Sequence, residues 1–266
     1  MIPNILSIAG SDPSGGAGVQ ADLKTFAALG GYGMAVITAL TAQNTNGVTG
    51  VMDVPEDFVK QQLETIFEDI HVDAVKIGML SNAAIIKVVA NILKKYTAPN
   101  IVLDPVMVAT SGDSLISADA VDAMKQYLVP LADVLTPNIP EAEKLSRKAV
   151  LDMEEAAKGL LSLGCGAVYL KGGHLKGAQA TDILAKNDGA LRKYESDRID
   201  TPNTHGTGCT LSSAIATFLS CGKPLNKSCE LGIKYVNQSI GSSLNYGKGH
   251  GPVNHLHSIK IDKKFR

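Results

Sequence analysis

The chain has 266 residues, of which 45% are hydrophobic and 19% charged, and its formal net charge is −1. That composition excludes a disordered or solvating chain, and the near-zero charge gives no electrostatic support to general nucleic-acid binding or a polybasic membrane role. Trp is absent and aromatics make up only 5%, which argues against a stacking platform for single-stranded nucleic acid.

In chain order, short apolar runs alternate with segments of helical period. Residues 5–9 form a strand-like run ending in Gly10, and a turn-rich loop follows to Gly18. Val19, Leu23, Phe26 and Ala27 then recur at helical spacing. Residues 34–40 are strand-like. Pro55 opens a helix with Phe58, Val59, Leu63, Ile66, Phe67 and Ile70 on one face, and Glu56 and Asp57 suit its first turn. A strand is expected at 74–77, a helix at 84–96, and a strand at 101–103 ending at Asp104. Next come a helix at 118–128, a strand at 134–136, a helix at 154–163 and a strand at 167–170. Helices at 210–219 and 224–244 close the series. This alternation predicts an α/β fold, with a mostly parallel central sheet covered by helices on both faces. No Pro/Ser-rich linker, charge block or repeat interrupts it, so 1–266 is expected to be a single domain.

In such sheets ligands bind at the carboxyl ends of the strands. There the sequence puts Gly10 and its loop, Ala42-Gln43-Asn44, Gly78-Met79, Asp104, Thr136-Pro137-Asn138 and Lys171-Gly172-Gly173. Strand ends collect turn residues anyway, which accounts for the glycines but less well for Gln43, Asp104 and Lys171. "GSDPSGGAG" (10–18) is not a P-loop, because no Gly-Lys-Ser/Thr follows, and it misses Gly-x-Gly-x-x-Gly. A Gly-rich turn feeding a helix still exposes N–H groups to an anion or a flat ring, though a plain strand-to-helix turn explains this loop equally well. "HGTGCT" (205–210) is sharper. Its two glycines permit close approach to a ligand. The helix after it carries Leu211, Ala214, Ile215, Phe218 and Leu219 on one face, which docks it on the sheet. Its unpaired N–H groups and positive dipole end are then free to meet a phosphate.

Cys165, Cys209, Cys221 and Cys229 contain no Cys-x-x-Cys pair, and a chain this long is not a disulfide scaffold. Reduced thiols in a cytoplasmic protein are the simplest expectation. No secretion-signal pattern opens the chain, and no apolar run approaches the ~20 residues of a membrane span.

The segments "IAGSDPSGGAGVQADLKTFAALGGYGMAVITALTAQNT", "KIGML", "VLDPVM", "TPNIPEAE", "LKGGH", "THGTGCTLSSAIA" and "GHGPVNHLH" occur in that order. Together they resemble the bacterial hydroxymethylpyrimidine/phosphomethylpyrimidine kinases of thiamin biosynthesis, over nearly the whole chain. That family lies in the ribokinase-like superfamily, whose vitamin-kinase branch also holds pyridoxal kinases. The resemblance implies a three-layer α/β/α fold without a large lid domain. It implies ATP and Mg²⁺, homodimers, and phosphorylation first of a hydroxymethylpyrimidine and then of its monophosphate. A cover is expected from 106–116, where "TSGDS" has the composition of a mobile loop.

The resemblance also assigns roles. Gln43 takes the pyrimidine, whose aminopyrimidine edge complements a carboxamide; otherwise it is a loop amide bonded to local backbone. Asp22 makes a polar contact to the substrate, instead of being a solvated helix carboxylate. Gly10, Met79 and Val106 are pocket walls, although apolar residues at strand ends are ordinarily core. Asp104 and Glu141, the latter in an Asn138-x-x-Glu motif, stand on the Mg²⁺ side and act through waters. Asn138, Lys171 and Lys234 face the nucleotide, where surface lysines are the plain alternative. Sugar kinases of the superfamily carry a catalytic aspartate in the slot that here reads Gly206-Thr207-Gly208-Cys209. A helix N-terminus lowers a thiol's pKa below ~8.5, so Cys209 is expected as a thiolate that accepts the hydroxyl proton, or else as a residue that merely fits the turn.

Other readings remain at this stage. Cys209 with His205 could form a thiol hydrolase, but no third member is evident. His250, His255 and His257 could chelate a metal, although zinc wants more ligands at defined spacing. A non-catalytic vitamin-binding regulator and a pyridoxal/pyridoxine kinase complete the set.

Overall fold

The computed structural model describes residues 1–108, 116–173 and 179–259. The chain opens with β1 (Asn4–Ala9), α1 (Gly18–Ala28) and β2 (Tyr32–Ile37), and β2 lies parallel to β1 with Asn4 opposite Tyr32. β3 (Ala39–Asn44) and β4 (Gly47–Asp53) then form an antiparallel hairpin outside the main sheet. α2 (Glu56–Phe67), β5 (Ala74–Ile77), α3 (Ala83–Lys95), β6 (Ile101–Leu103) and α4 (Ala118–Ala123) follow, and a π-turn at Met124–Leu128 extends α4. The second half runs β7 (Val134–Leu135), α5 (Ile139–Ser146), α6 (Met153–Leu161), β8 (Ala167–Leu170), β9 (Gln179–Lys186), β10 (Leu191–Asp197), α7 (Thr207–Ser220) and α8 (Leu225–Gly241). The sheet order is β10-β9-β8-β7-β6-β5-β1-β2, parallel from β2 to β8 and antiparallel through β9 and β10.

The central strands read AVKI, IVL, VL and AVYL and are buried at every residue. Continuous burial, rather than alternation, is what a parallel sheet covered on both faces demands. One covering layer packs Leu63, Ile86, Val89, Leu93, Met124 and Leu160 against Leu6, Ile77, Leu103 and Leu135. The opposite layer packs Phe26, Leu211, Ile215 and Val236 against Ile5, Val102, Val134 and Tyr169. The fold is therefore the expected three-layer α/β/α arrangement with a mostly parallel sheet. Among the described residues nothing larger than the β3–β4 hairpin stands apart from it. No described helix is long and apolar enough to cross a membrane.

Local chemistry sets the helix ends. The Asn82 side chain accepts from the Ile85 N–H at 3.0 Å, and Lys94 and Lys95 lie in the last turn of α3 where they favour its dipole. Asn138 and Glu141 form a reciprocal capping box at α5.

The structure departs from the expected elements in three places. The strand expected at 34–40 breaks at Thr38, whose buried hydroxyl donates to the Met79 carbonyl at 2.8 Å. Residues 42–44 consequently lie within β3 rather than after a strand. The β9–β10 hairpin and α5 were not anticipated, because β10 (LRKYESD) carries many exposed polar residues and α5 is only eight residues long. The expected cover at 106–116 falls largely on 109–115, outside the described residues.

Two glycine-rich segments meet at the carboxyl edge of the sheet. Gly206 holds φ at +82°, and a Cβ there would collide with the Gly16 carbonyl oxygen. The contact is locked by Asp12, whose Oδ2 pairs with His205 Nε2 at 2.8 Å and accepts the Gly16 and Ala17 N–H groups at 3.0 and 2.8 Å. Gly206→Ala is expected to cost more than ~3 kcal/mol in urea denaturation, since strain and collision add. Gly222→Ala, at φ +73° with open space around it, should cost about 1 kcal/mol. Equal losses would contradict the close approach.

Candidate active site

A cavity of about 590 Å³ opens at the carboxyl ends of β1, β5, β6 and β8. Gly10, Gln43, Met79, Val106, Asp104, Asn138, Glu141, Lys171 and Gly206 to Cys209 all line it. A β-bulge between Ala42 and Gln43 shifts the register of the β3–β4 hairpin beside the cavity. The Gln43 Oε1 accepts only a long 3.3 Å bond from the Thr41 hydroxyl, which itself donates at 2.8 Å to the Ser11 carbonyl. The carboxamide is thus left largely unspent on its own backbone.

Asp104 follows β6 and is buried. Its Oδ1 accepts from Lys171 Nζ at 2.8 Å and from Thr136 Oγ1 at 3.3 Å, and its Oδ2 accepts from Ser212 Oγ at 3.2 Å. Burial disfavours its charge, but Lys171 and then Lys76 outweigh that and hold the carboxyl below its ordinary value. Glu141 accepts the Asn138 N–H at 2.8 Å, and its Oε2 is 3.9 Å from Lys171 Nζ. Here burial wins and pushes the carboxyl up to about 7, with Lys171 offsetting only part. One ammonium therefore serves two buried carboxylates.

Cys209 lies in the first turn of α7, and both it and Gly18, the first residue of α1, line the cavity, so two helix starts border the site and favour a negative sulfur there. Burial nevertheless pushes the thiol up to about 11, against the lowering effect of Lys76. The expected neutral-pH thiolate is therefore corrected: desolvation outweighs the helix termini, and the sulfur carries its proton at pH 7.

Two further expectations change. Asp22 does not line the cavity. It is fully buried, paired with Lys76 and hydrogen-bonded to Ser7 and Ser213. Lys234 is exposed on α8 and does not border the cavity, whereas Asn237 and Ile240 of that helix do. Both residues sit on helices whose rotation spacing alone could not reveal. The His205 Nε2 that a hydrolase would need is taken by Asp12. The described residues contain no group of three His, Cys, Asp or Glu able to hold a metal. His255 is instead buried, its carbonyl accepting from Tyr235, and His257 bonds Ser239.

Sequence reasoning missed the Asp12–His205 lock, Ser212 and Lys76. A signal for the last was present, since a lysine inside a fully apolar central strand needs a partner.

The family described as phosphomethylpyrimidine kinase matches residues 12–254. Hydroxymethylpyrimidine/phosphomethylpyrimidine kinase of Rhizobium meliloti is 49% identical, over 95% of this chain and 96% of its own. Thiamine biosynthesis bifunctional protein ThiED of Geobacter sulfurreducens is 50% identical over 95% of this chain, which spans about half (52%) of that relative's length. Among solved structures, an ADP complex of Bacillus subtilis pyridoxal kinase superposes with a TM-score of 0.88 at 37% identity, covering 96% of this chain and 98% of that one. By its sequence, and by a fold that sets the same motifs around one cavity, the chain belongs to the phosphomethylpyrimidine kinase family.

Proposed function

We propose that the chain is an ATP-dependent phosphotransferase of thiamin biosynthesis. It phosphorylates 4-amino-5-hydroxymethyl-2-methylpyrimidine and then converts the monophosphate to the diphosphate. The observation that carries this reading is the convergence on one cavity of Gln43, the α7 start at Gly206 to Cys209, and the Asp104–Lys171–Glu141 cluster.

Each part has a chemical task. Gln43 presents a donor and an acceptor to the aminopyrimidine edge. Gly10, Met79 and Val106 wall the flat ring. The N–H groups at the start of α7 face the phosphoryl group in transit, where helix dipole and donors favour negative charge. Lys171 and Asn138 lie beside the nucleotide phosphates. Asp104 and Glu141 suit a hydrated Mg²⁺, which takes one or two carboxylates and keeps its waters. Glu141 in particular is buried with too little positive charge beside it. When bound, that ion neutralises charge on the nucleotide phosphates. A phosphoryl transfer of loose character depends mainly on position and charge, which suits a site whose Cys209 rests as a thiol. We read the enzyme as one cytoplasmic domain over 1–266. It acts as a homodimer, for which the exposed Leu40 and Met52, directly opposite each other on the β3–β4 hairpin, supply an apolar patch.

The solved pyridoxal kinase keeps a second substrate in view, because a flat six-membered ring with a hydroxymethyl arm fits the same walls. ATP consumption with the hydroxymethylpyrimidine, its monophosphate and pyridoxal, measured in parallel, separates the two. Turnover is expected with both pyrimidines, and turnover with pyridoxal alone would overturn the substrate assignment. Gln43→Leu should lower kcat/KM for the hydroxymethylpyrimidine by roughly 10–100-fold, mainly through KM, as loss of a paired amide contact requires. An unchanged KM would remove Gln43 from the ring site.

A further inference from the structure

After α8 the chain returns as an irregular strap, residues 245–255, that bears on two separate parts of the site. Its near end seats the tip of the β3–β4 hairpin. The Thr45 hydroxyl accepts the Lys248 and Gly249 N–H groups at 3.2 Å each, and the Thr45 carbonyl accepts the His250 N–H at 2.9 Å. Two glycines permit this approach. A Cβ at 247 would lie 2.2 Å from Thr45 Oγ1, and one at 249 would lie 2.1 Å from the Thr45 carbonyl oxygen. The far end runs beside the start of α7. There the His205 N–H donates to the Gly251 carbonyl at 3.1 Å, and the Val253 N–H donates to the His205 carbonyl at 3.2 Å. Asn203 Nδ2 donates to Asn245 Oδ1 at 2.7 Å. The strap is fixed to α8 by the Asn254 N–H, which donates to the Ser239 carbonyl at 2.9 Å, and by the Tyr235 hydroxyl, which donates to the His255 carbonyl.

The hairpin needs such a support. It stands outside the main sheet, and a two-stranded hairpin alone is marginal in water. Its base is tied where the Ser11 N–H donates to the Ala39 carbonyl at 2.9 Å and the Thr41 hydroxyl donates to the Ser11 carbonyl at 2.8 Å. Gln43 lies beyond that base, at the bulge and two residues before Thr45. Its long 3.3 Å contact with Thr41 does little to fix the carboxamide. The place of that group is therefore set by the backbone that carries it, and Thr45 holds this backbone on the far side. The strap also holds His205, the residue before Gly206. One run of backbone thus spans from the hairpin tip to the start of α7. A misplacement of about 1 Å in such a span costs on the order of 100-fold in rate.

We propose that Thr45, seated on the strap at residues 247–250, is a positioning residue that sets the Gln43 carboxamide relative to the start of α7. The span so fixed selects a flat amino-heterocycle whose reacting arm is short enough to reach α7 from the carboxamide. The inference rests on reading Gln43 as the contact to the ring. Thr45 does not border the cavity. It acts through Gln43, so binding of the pyrimidine depends on it and binding of the nucleotide does not.

Steady-state kinetics of the full chain with ATP and the hydroxymethylpyrimidine tests this. Gly249→Ala drives a Cβ against the Thr45 carbonyl. It should raise the KM for the pyrimidine about tenfold and leave the KM for ATP within about twofold. Thr45→Val removes the hydroxyl acceptor at nearly constant shape and should raise the pyrimidine KM about threefold, whereas Thr45→Ser keeps the hydroxyl and should restore it. In a Gln43→Leu chain neither Gly249→Ala nor Thr45→Val should add more than about twofold, because the carboxamide they act through is already gone. Full additivity in that background, an unchanged pyrimidine KM, or an equal rise in the KM for ATP overturns the proposal. If Gly249→Ala does not fold, Thr45→Val and its serine rescue decide alone. Hydrogen–deuterium exchange without substrates reads the tie independently. Gly249→Ala should speed exchange of a peptide covering 39–53 about tenfold and leave 203–213 unchanged. No change at 39–53, or an equal change in both peptides, overturns the tie. If the wild-type chain phosphorylates neither pyrimidine while the hairpin loosens as stated, the functional reading fails and the tie between strap and hairpin stands.

Discussion

The close approach of Gly206 to the Gly16 carbonyl is the constraint on which the site depends. It brings a loop near residue 16 and another near residue 206 into one wall, although 190 positions of chain separate them. Neither loop can relax away, because the Asp12 carboxylate holds backbone amides of the first and the imidazole of the second. Burial works against the charge on Asp12, but the His205 and Ser14 hydrogen bonds outweigh it and keep the carboxyl below its ordinary value. A group depressed in this way adds stability above the ordinary carboxylate range and loses it as pH falls through the folded value. The same lock sets two helix starts side by side, α1 at Gly18 and α7 at Thr207, and their positive dipole ends border the cavity.

Around that frame the chemistry is one of buried charges that balance incompletely. Lys76 is matched by Asp22, and Lys171 is shared between Asp104 and Glu141. The surplus of carboxylate at Glu141 and the protonated thiol at Cys209 have the same origin, since desolvation raises both above their ordinary values. A site left in this state favours the arrival of positive charge beside the carboxylates. It also allows a kinase whose rate comes from placement and electrostatics rather than from a strong resting base.

Much of this was legible in the sequence, for physical reasons. Central strands such as 74–77 and 167–170 were found to the residue, because a doubly covered parallel strand is a continuous apolar run between turns. Gly10, Asp104 and Lys171 were placed at the cavity because strand ends carry such sites in open parallel sheets, whereas Gln43 reaches it from within the β3–β4 hairpin. The misses have equally definite causes. Polar hairpins give little periodic signal, so β9–β10 escaped. A helix-start thiol reads as acidic until its burial is known, and burial is a property of the packed chain. Asp22 and Lys234 show that motif position does not reveal which way a helical side chain points. The Lys76–Asp22 pair joins residues 54 positions apart, a separation that periodicity does not connect.

The central claim is that the two glycine-rich loops, locked together by Asp12 and Gly206, form one wall of the cavity. Hydrogen–deuterium exchange with and without ADP tests it most directly, read on peptides covering 10–20 and 203–213. The account predicts that both segments gain protection together, by at least ~10-fold in exchange rate, while the β3–β4 hairpin changes little. Protection of only one loop, or of neither while nucleotide binds, would contradict it.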